Sequence, residues 1–166
     1  MYQQIAVIND YAGVGRVAAN VNVPILSAAQ FEVAVLPTLL LSNQVGFNSF
    51  YTREMEEDFD VFLNHWKTLD LDFEACLTGY FAATAQIDSV IQFVENSKKE
   101  FPVIVDPIMG EDGELYPGFT EEFVAHMRNL IVHADIVMPN VTEACRIAQI
   151  DYSEEFTEKE LEEVAQ

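Results

Sequence analysis

Basic residues are scarce in this sequence. Its 166 residues include 8 Lys and Arg against 28 Asp and Glu, which gives a formal net charge of −20 at pH 7. An electrostatic field of this sign repels phosphate backbones and anionic lipids. The composition therefore argues against a protein that binds nucleic acid or a membrane surface by general charge.

Cysteines and long apolar runs are also scarce. The two cysteines, Cys76 and Cys145, are too few for a disulfide scaffold, and they favour a reducing compartment. No stretch approaches the roughly 18 uninterrupted apolar residues of a membrane span. The first residues lack the basic and long apolar regions of a secretion signal. We therefore expect a soluble, cytoplasmic protein with no membrane segment.

Half of the residues are apolar and 11% are aromatic, which is enough to build a core in a single domain. We assign residues 1–150 to this domain. Residues 151–166 differ in composition, because they contain seven acidic residues and one lysine. The motif Thr157-x-x-Glu160 is typical of a helix capping box, so this segment is predicted to be an acidic C-terminal helix or tail.

Short apolar runs alternate with helical patterns along the domain. The runs at 5–8, 33–41, 75–78, 103–105 and 136–138 predict strands, and helices are predicted over 17–29 and 54–69 and from residues 84, 120 and 140. Pro24 is expected to kink or break the first helix and Pro37 to interrupt the second strand, and residues 42–53 are predicted to be a loop. This alternation predicts an α/β fold of three layers, a mainly parallel sheet with helices on both faces.

Polar clusters follow four of the predicted strands. In an open parallel sheet, ligands bind beyond the carboxyl ends of the strands, so these clusters are expected to lie along one edge. The clusters are Asn9-Asp10 with Gly13 and Gly15, then Thr78-Gly79-Tyr80, then Asp106 to Glu111, and then Asn140 to Glu143.

Several of these residues have alternative structural interpretations. Asp10 could be a simple turn residue, and Gly13 and Gly15 could be turn glycines. Gly13-x-Gly15-x-x-Ala18 also fits a relaxed dinucleotide fingerprint, although the next strand does not end in an acidic residue. Asn140-x-x-Glu143 is a natural capping box, an interpretation we prefer to a metal or nucleotide role for this motif taken alone.

The segment Asp106-Pro107-x-x-Gly110-Glu111 has a clearer functional indication. It places two carboxylates and a glycine directly after a buried strand, an arrangement that suits magnesium. Backbone amides and helix N-termini nearby could bind phosphate. The sequence contains no Gly-x-x-x-x-Gly-Lys-Ser/Thr motif, so a P-loop enzyme is excluded.

Five motifs together resemble those of pyridoxal/pyridoxamine kinases, members of the ribokinase-like superfamily. The resemblance extends from about Ile5 to Ile150. The motifs are Ile8-Asn9-Asp10-x-x-Gly13-x-Gly15-Arg16, Ser42-Asn43-Gln44-x-Gly46-Phe47, Leu77-Thr78-Gly79-Tyr80, Asp106-Pro107-Ile108-Met109-Gly110 and Pro139-Asn140-x-x-Glu143-Ala144, in the family's order.

The resemblance implies transfer of the ATP γ-phosphoryl group to the 5′-hydroxymethyl of a B6 vitamer, with Mg²⁺ as cofactor and a homodimer as the expected assembly. It implies a substrate site formed by Asp10, Gly13, Ser42, Val45, Gly46 and Tyr80. It implies nucleotide contacts from Asp106, Tyr116, Asn140 and Glu143, and metal contacts from Asp106, Glu111 and Glu143.

The sequence also departs from the family pattern. Val45 and Met138 stand where threonine is usual, and Glu111 replaces an aspartate. The family's Gly-Thr-Gly-Asp segment, which supplies the anion hole and the catalytic base, is missing from these 166 residues. Loss of one anion-hole donor costs roughly 10²–10³ in rate, and loss of the base costs roughly 10²–10⁴ more.

We therefore expect no catalytic base in this chain and, at best, a very poor kinase. The chain is interpreted as a C-terminally incomplete part of a longer kinase, because its last predicted strand and helix would otherwise leave an apolar sheet edge uncovered. Two alternatives remain open: a homologue that binds vitamer or nucleotide without turnover, and a dinucleotide-dependent oxidoreductase.

Overall fold

The computed structural model describes residues 3–69, 71–97, 99–153, 155–157 and 159. The helices are α1 Ala19–Ala28, α2 Glu56–Thr68, α3 Thr84–Glu95, α4 Glu121–Ile131 and α5 Val141–Ala148. The strands are β1 Gln4–Ala12, β2 Glu32–Leu41, β3 Thr52–Glu54, β4 Phe73–Thr78, β5 Val103–Val105, β6 Gly110–Glu111, β7 Glu114–Leu115 and β8 Ile136–Val137.

Six of these strands form one sheet in the order β3-β2-β1-β4-β5-β8. Every neighbouring pair is parallel except β2 and β3, which are antiparallel. The run Ile5-Ala6-Val7-Ile8 is buried throughout, as expected of a central parallel strand that is covered on both faces. The predicted α/β fold with a mainly parallel sheet is confirmed.

Helices cover the two faces of the sheet unequally. The larger core lies between the sheet and helices α2, α3 and α4, and it includes Phe59, Ile87 and Met127. A smaller cluster on the opposite face includes Ala19 of α1 with Ile5 and Val7 of β1. The three-layer arrangement is therefore present, with most of the apolar packing on one face. The edge strand β8 leaves Ile136 half exposed.

The two prolines do not interrupt the elements that contain them. Pro24 lies inside a continuous α1, whose Ala19 and Leu26 pack on the sheet and compensate for one missing backbone hydrogen bond. Pro37 lies within β2, opposite Asn9, where the register between β1 and β2 shifts. Proline is tolerated at such an irregularity because the regular hydrogen-bond ladder is already disturbed.

Other boundaries also differ from the sequence-based prediction. Strand β1 continues four residues beyond Ile8, to Ala12, because it pairs with β2 as far as Leu41. The predicted loop 42–53 ends in strand β3, which pairs with Leu39–Leu41. The predicted helix after Thr157 lies almost entirely outside the described residues. No helix in the described part of the chain is long and apolar enough to cross a membrane.

Candidate active site at the carboxyl edge of the sheet

Three strands, β4, β5 and β8, end side by side at one edge of the sheet, and their backbones are linked there to each other and to β1. The Gly79 N–H donates to the Ile8 carbonyl (2.9 Å), and the Asp106 N–H donates to the Thr78 carbonyl (3.0 Å). The Met138 N–H donates to the Val105 carbonyl (2.9 Å). The loops that follow β4, β5 and β8 therefore begin along a common edge, as the sequence pattern predicted. Asp10 lies inside β1 rather than in the loop after it, because this strand continues to Ala12.

The glycine turn after β1 packs against the loop after β2. The Gly13 N–H donates to the Leu41 carbonyl (2.8 Å), and the Gln44 N–H donates to the Val14 carbonyl (2.8 Å). A Cβ on Gly13 would lie 2.8 Å from the Ser42 carbonyl oxygen. The close approach of two backbones thus explains this glycine. The contact gives no support to the interpretation of the turn as a dinucleotide-binding fingerprint.

The loop after β2 brings Ser42, Val45 and Gly46 next to this turn. The Ser42 hydroxyl accepts a hydrogen bond from the Tyr51 N–H (2.9 Å) and donates to the Asn43 side chain (2.7 Å). Val45 is 67% exposed. Four of the predicted substrate residues, Gly13 included, therefore lie in two apposed loops at the same end of the sheet.

Asp10 and Tyr80 are joined through Asn9, which belongs to the predicted Asn9-Asp10 cluster but was not among the predicted substrate residues. The side-chain oxygen of Asn9 accepts hydrogen bonds from the Asp10 N–H and from the Tyr80 N–H, both at 2.9 Å. Burial raises the pKa of Asp10 to about 6, and a backbone hydrogen bond offsets part of this rise. Burial and the charges of Asp10 and Glu54 raise the pKa of Tyr80. This end of the site is therefore acidic and partly desolvated.

An aromatic stack continues from Tyr80. Its ring stacks on Phe119 with a centroid distance of 5.6 Å, and Phe119 stacks on Phe123 at 4.0 Å. Phe123 is buried at the start of α4 and anchors the stack in the core. Tyr80 thus presents an aromatic surface that could line a pocket for a planar ring.

At the other end of the site, Asn140 and Glu143 form the capping box of α5. The Asn140 side chain accepts from the Glu143 N–H, and the Glu143 carboxylate accepts from the Asn140 N–H, both at 2.9 Å. The same residues also contact the segment after β5. The Met109 N–H donates to Glu143 (3.2 Å), and the Asn140 side chain donates to the Gly110 carbonyl (2.8 Å). The capping interpretation is therefore present in the structure.

The predicted metal ligands do not form one cluster. Burial raises the pKa values of Asp106 and Glu143, and the charge of Asp106 contributes to the shift at Glu143, so these two carboxylates influence each other. Glu111 is exposed and accepts a long hydrogen bond, 3.5 Å, from the Tyr116 hydroxyl. No three His, Cys, Asp or Glu side chains among the described residues are placed to hold a metal ion.

The predicted set Asp106, Glu111 and Glu143 is therefore not assembled as a three-carboxylate site. The physical reason is that Glu111 is the exposed residue of β6, whereas Glu143 is committed to the buried cap of α5. Asp106 and Glu143 still fit a magnesium ion that completes its coordination with water and substrate phosphates, because Mg²⁺ keeps several waters in such sites.

The hairpin β6–β7 was not predicted from the sequence. Its turn consists of Asp112 and Gly113, both with positive φ (51° and 82°), which is typical of a tight hairpin turn. The dipeptide Asp-Gly was the signal that could have revealed it. Helix α5 holds the turn, because the Gly113 N–H donates to the Thr142 hydroxyl and Arg146 donates to the Gly113 carbonyl, both at 2.9 Å.

These features define a ribokinase-like α/β protein whose polar loops collect at the carboxyl edge of the sheet. The chain belongs to the phosphomethylpyrimidine kinase family, because the sequence model of that family matches residues 32–166. This membership favours the kinase interpretation over a dinucleotide-dependent oxidoreductase.

Solved structures agree with the family. A Bacteroides thetaiotaomicron protein named as a phosphomethylpyrimidine kinase, crystallised with pyridoxal, is 34% identical with a TM-score of 0.92 over 99% of this chain and 58% of its own. Pyridoxal kinase from Lactobacillus plantarum is 30% identical, with a TM-score of 0.92 over 100% of this chain and 60% of its own.

Pyridoxal kinase from Leishmania donovani, in complex with ADP and pyridoxamine, is 26% identical, with a TM-score of 0.84 over 98% of this chain and 57% of its own. The present chain thus spans somewhat more than half the length of these three proteins.

Proposed function

We propose that this chain supplies the B6 vitamer site and part of the Mg-ATP site of a kinase that phosphorylates the 5′-hydroxymethyl group of a B6 vitamer, for the salvage of pyridoxal phosphate. The observation that carries the proposal is the position of Asp10 in the last part of β1, of Tyr80 just after β4 and of Asp106 just after β5, on neighbouring strands. An alcohol acceptor and a phosphate donor could thus be bound next to each other at one edge.

The vitamer would bind at the Asp10 end of the site. A half-buried carboxylate beside an aromatic ring suits a heteroaromatic alcohol, because the ring can stack on Tyr80 while Asp10 accepts a hydrogen bond from a polar substituent. The exposed loop around Ser42, Val45 and Gly46 would close the same side. Relatives with pyridoxal or pyridoxamine bound support this class of substrate.

The phosphates of ATP would bind at the Asp106 end. Asp106 and Glu143 would hold Mg²⁺, which would neutralise phosphate charge, and Asn140 and Tyr116 would contact the nucleotide. Phosphoryl transfer depends mainly on positioning and charge stabilisation. The hydrogen bonds described above hold the loops at both ends of the site, where the vitamer and ATP would bind. The relative with ADP bound supports a nucleotide as co-substrate.

Binding without turnover is the second candidate function of the chain alone. The family's Gly-Thr-Gly-Asp segment does not occur in the sequence, and the chain spans 57–60% of the length of its solved relatives. Both observations favour this second function. We therefore expect this polypeptide to bind a vitamer but to phosphorylate it slower than full-length relatives by a factor on the order of 10⁴ or more.

Calorimetric titration with pyridoxal and with a non-hydrolysable Mg-ATP analogue tests the proposal, together with an assay for pyridoxal phosphate formation. Saturable pyridoxal binding that Asp10→Asn weakens at least tenfold is the expected result. Asp60→Asn is the matched control, because it removes the same charge from the exposed surface of α2. Absence of binding to both ligands would refute the proposal.

We also propose a cytoplasmic homodimer. The loop after β2 exposes the aromatic residues Phe47, Phe50 and Tyr51, a patch of the kind that supports association. Cys76 and Cys145 are free and buried, as suits a reducing compartment. Sedimentation equilibrium of the chain and of a Phe50→Ser variant tests the dimer, and a wild-type monomer at high micromolar concentration would contradict it.

A further inference from the structure

The two peptide groups that flank Tyr80 are each held by a buried side chain. On one side, Asn9 accepts a hydrogen bond from the Tyr80 N–H (2.9 Å). On the other, the Thr38 hydroxyl donates to the Tyr80 carbonyl (2.7 Å). Asn9 lies in β1 and Thr38 lies in β2, so two different strands hold Tyr80.

A second pair of hydrogen bonds supports this arrangement. Gln86 of α3 donates to the Thr38 carbonyl and accepts from the Ala82 N–H, both at 2.9 Å. Asn9, Thr38 and Gln86 are 5%, 0% and 1% exposed, respectively. Buried polar groups are costly unless they are paired, so a connected network of this kind fixes the local geometry.

Gly79 also belongs to this arrangement. A Cβ at residue 79 would lie 2.4 Å from the side-chain nitrogen of Asn9, so only glycine leaves room for the Asn9 amide. The amide also donates to the Asn22 side chain of α1 (3.1 Å). The position of Asn9 is therefore fixed by α1 on one side and by the Gly79-Tyr80 backbone on the other.

We propose that Asn9 and Thr38 are positioning residues for substrate binding. They hold the peptide groups before and after Tyr80, through the Tyr80 N–H and the Tyr80 carbonyl, and so fix the Tyr80 ring as a wall of the site. The inference rests on the proposed function, because it assumes that the vitamer ring stacks on Tyr80. Asn9 has a second role of the same kind, since it also accepts the Asp10 N–H.

The consequence of losing one bond can be stated as an affinity. Thr38→Val preserves the shape of the side chain but leaves the buried Tyr80 carbonyl without its donor. The peptide group between Tyr80 and Phe81 can then rotate, and the Tyr80 ring loses its defined orientation on Phe119. We expect the dissociation constant for pyridoxal to rise about tenfold, the effect of one well-placed interaction. Thr38→Ser retains the hydroxyl and should stay within about threefold of wild type.

A general loss of stability must be distinguished from a positioning effect. Val90→Ala is the matched control, because Val90 is fully buried in α3 and makes no hydrogen bond with its side chain. We expect it to lower the thermal midpoint as much as Thr38→Val or more, while the dissociation constant for pyridoxal remains at the wild-type value. Equal weakening by Val90→Ala and Thr38→Val would overturn the proposal.

Amide hydrogen exchange tests the same inference without a ligand. In Asn9→Ala, we expect the Tyr80 amide to exchange at least tenfold faster, whereas amides in the middle of α4 are unchanged. Gly79→Ala alone should also speed exchange of the Tyr80 amide. It should have little further effect when combined with Asn9→Ala, because the clash between the new Cβ and the Asn9 side chain is then removed.

The two proposals fail separately. If the wild-type chain binds no pyridoxal, the proposed function fails, and the exchange measurement still decides whether Asn9 holds Tyr80. If pyridoxal binds but Thr38→Val binds it as tightly as wild type, or the Tyr80 amide exchanges at an unchanged rate in Asn9→Ala, the positioning inference is wrong.

Discussion

Replacing Asp10 by asparagine should stabilise the folded chain at neutral pH. Burial disfavours the ionised carboxylate and raises the pKa of Asp10 from 3.8 to about 6. The folded state therefore binds the Asp10 proton more tightly than the unfolded state does. At a pH above 6 the carboxylate is charged in both states, and folding has to bury part of that charge.

The size of this effect follows from the two pKa values. One pKa unit corresponds to about 1.4 kcal/mol, so the full difference corresponds to about 3 kcal/mol. Asp10 remains partly exposed, and water screens its charge, so we reduce the expected gain to about 1–2 kcal/mol. The penalty decreases as the pH falls through 6 and is absent below the unfolded pKa of 3.8.

Urea unfolding of wild type, Asp10→Asn and Asp60→Asn at pH 8 and pH 4 measures this effect. We expect Asp10→Asn to exceed wild type by about 1–2 kcal/mol at pH 8 and by a few tenths or less at pH 4. Asp60→Asn accounts for the general repulsion in a chain of net charge −20. Equal free energies of unfolding for the two variants at pH 8 would refute the argument that burial destabilises Asp10.

Two further predictions concern helix α5 and the hairpin β6–β7. Asn140→Ala removes the cap of α5 and should lower the free energy of unfolding in urea by about 1–2 kcal/mol. Thr120→Ala removes the simpler cap of α4 and is the control. A loss for Asn140→Ala no larger than that for Thr120→Ala would contradict a role for Asn140 beyond its cap. Gly113→Ala and Gly118→Ala both place alanine at positive φ and should each cost about 1–2 kcal/mol. Gly113→Ala should destabilise the fold more than Gly118→Ala, because the new Cβ would lie 2.6 Å from the Tyr152 ring. Equal thermal midpoints for the two variants would show that the Tyr152 ring moves away freely.

The edge on which the site lies could be predicted from sequence because the signal is local. Buried parallel strands appear as short apolar runs, and the polar residues that end them must lie at the same edge. Tyr80 and Asp106 follow this rule, and the ends of their strands are hydrogen-bonded to each other. Asp10 lies at the same edge but inside β1, because pairing with β2 extends that strand to Ala12. The hairpin β6–β7 did not appear in the prediction because two-residue strands have no periodicity to detect.

The network around Tyr80 could not be predicted in the same way. Thr38 lies inside an apolar strand and Gln86 on the buried side of a helix, where a lone polar residue gives no pattern. The hydrogen bonds that join Tyr80 to Asn9 and to Thr38 link residues 71 and 42 positions apart. Such partners are set by the register of the sheet, which a single sequence specifies only through the whole fold.

Glu143 shows how the structural and functional interpretations of one motif are related. Its carboxylate is 3% exposed and accepts backbone N–H groups of Asn140 and Met109. Each carboxylate oxygen has two lone pairs, so these bonds leave acceptor capacity for a metal-bound water. The capping box thus does not compete with the proposed magnesium role, because it holds the carboxylate near Asp106 and satisfies part of its charge. The cost of that position is the raised pKa of Glu143, which burial and the neighbouring Asp106 cause, and a divalent cation would relieve it.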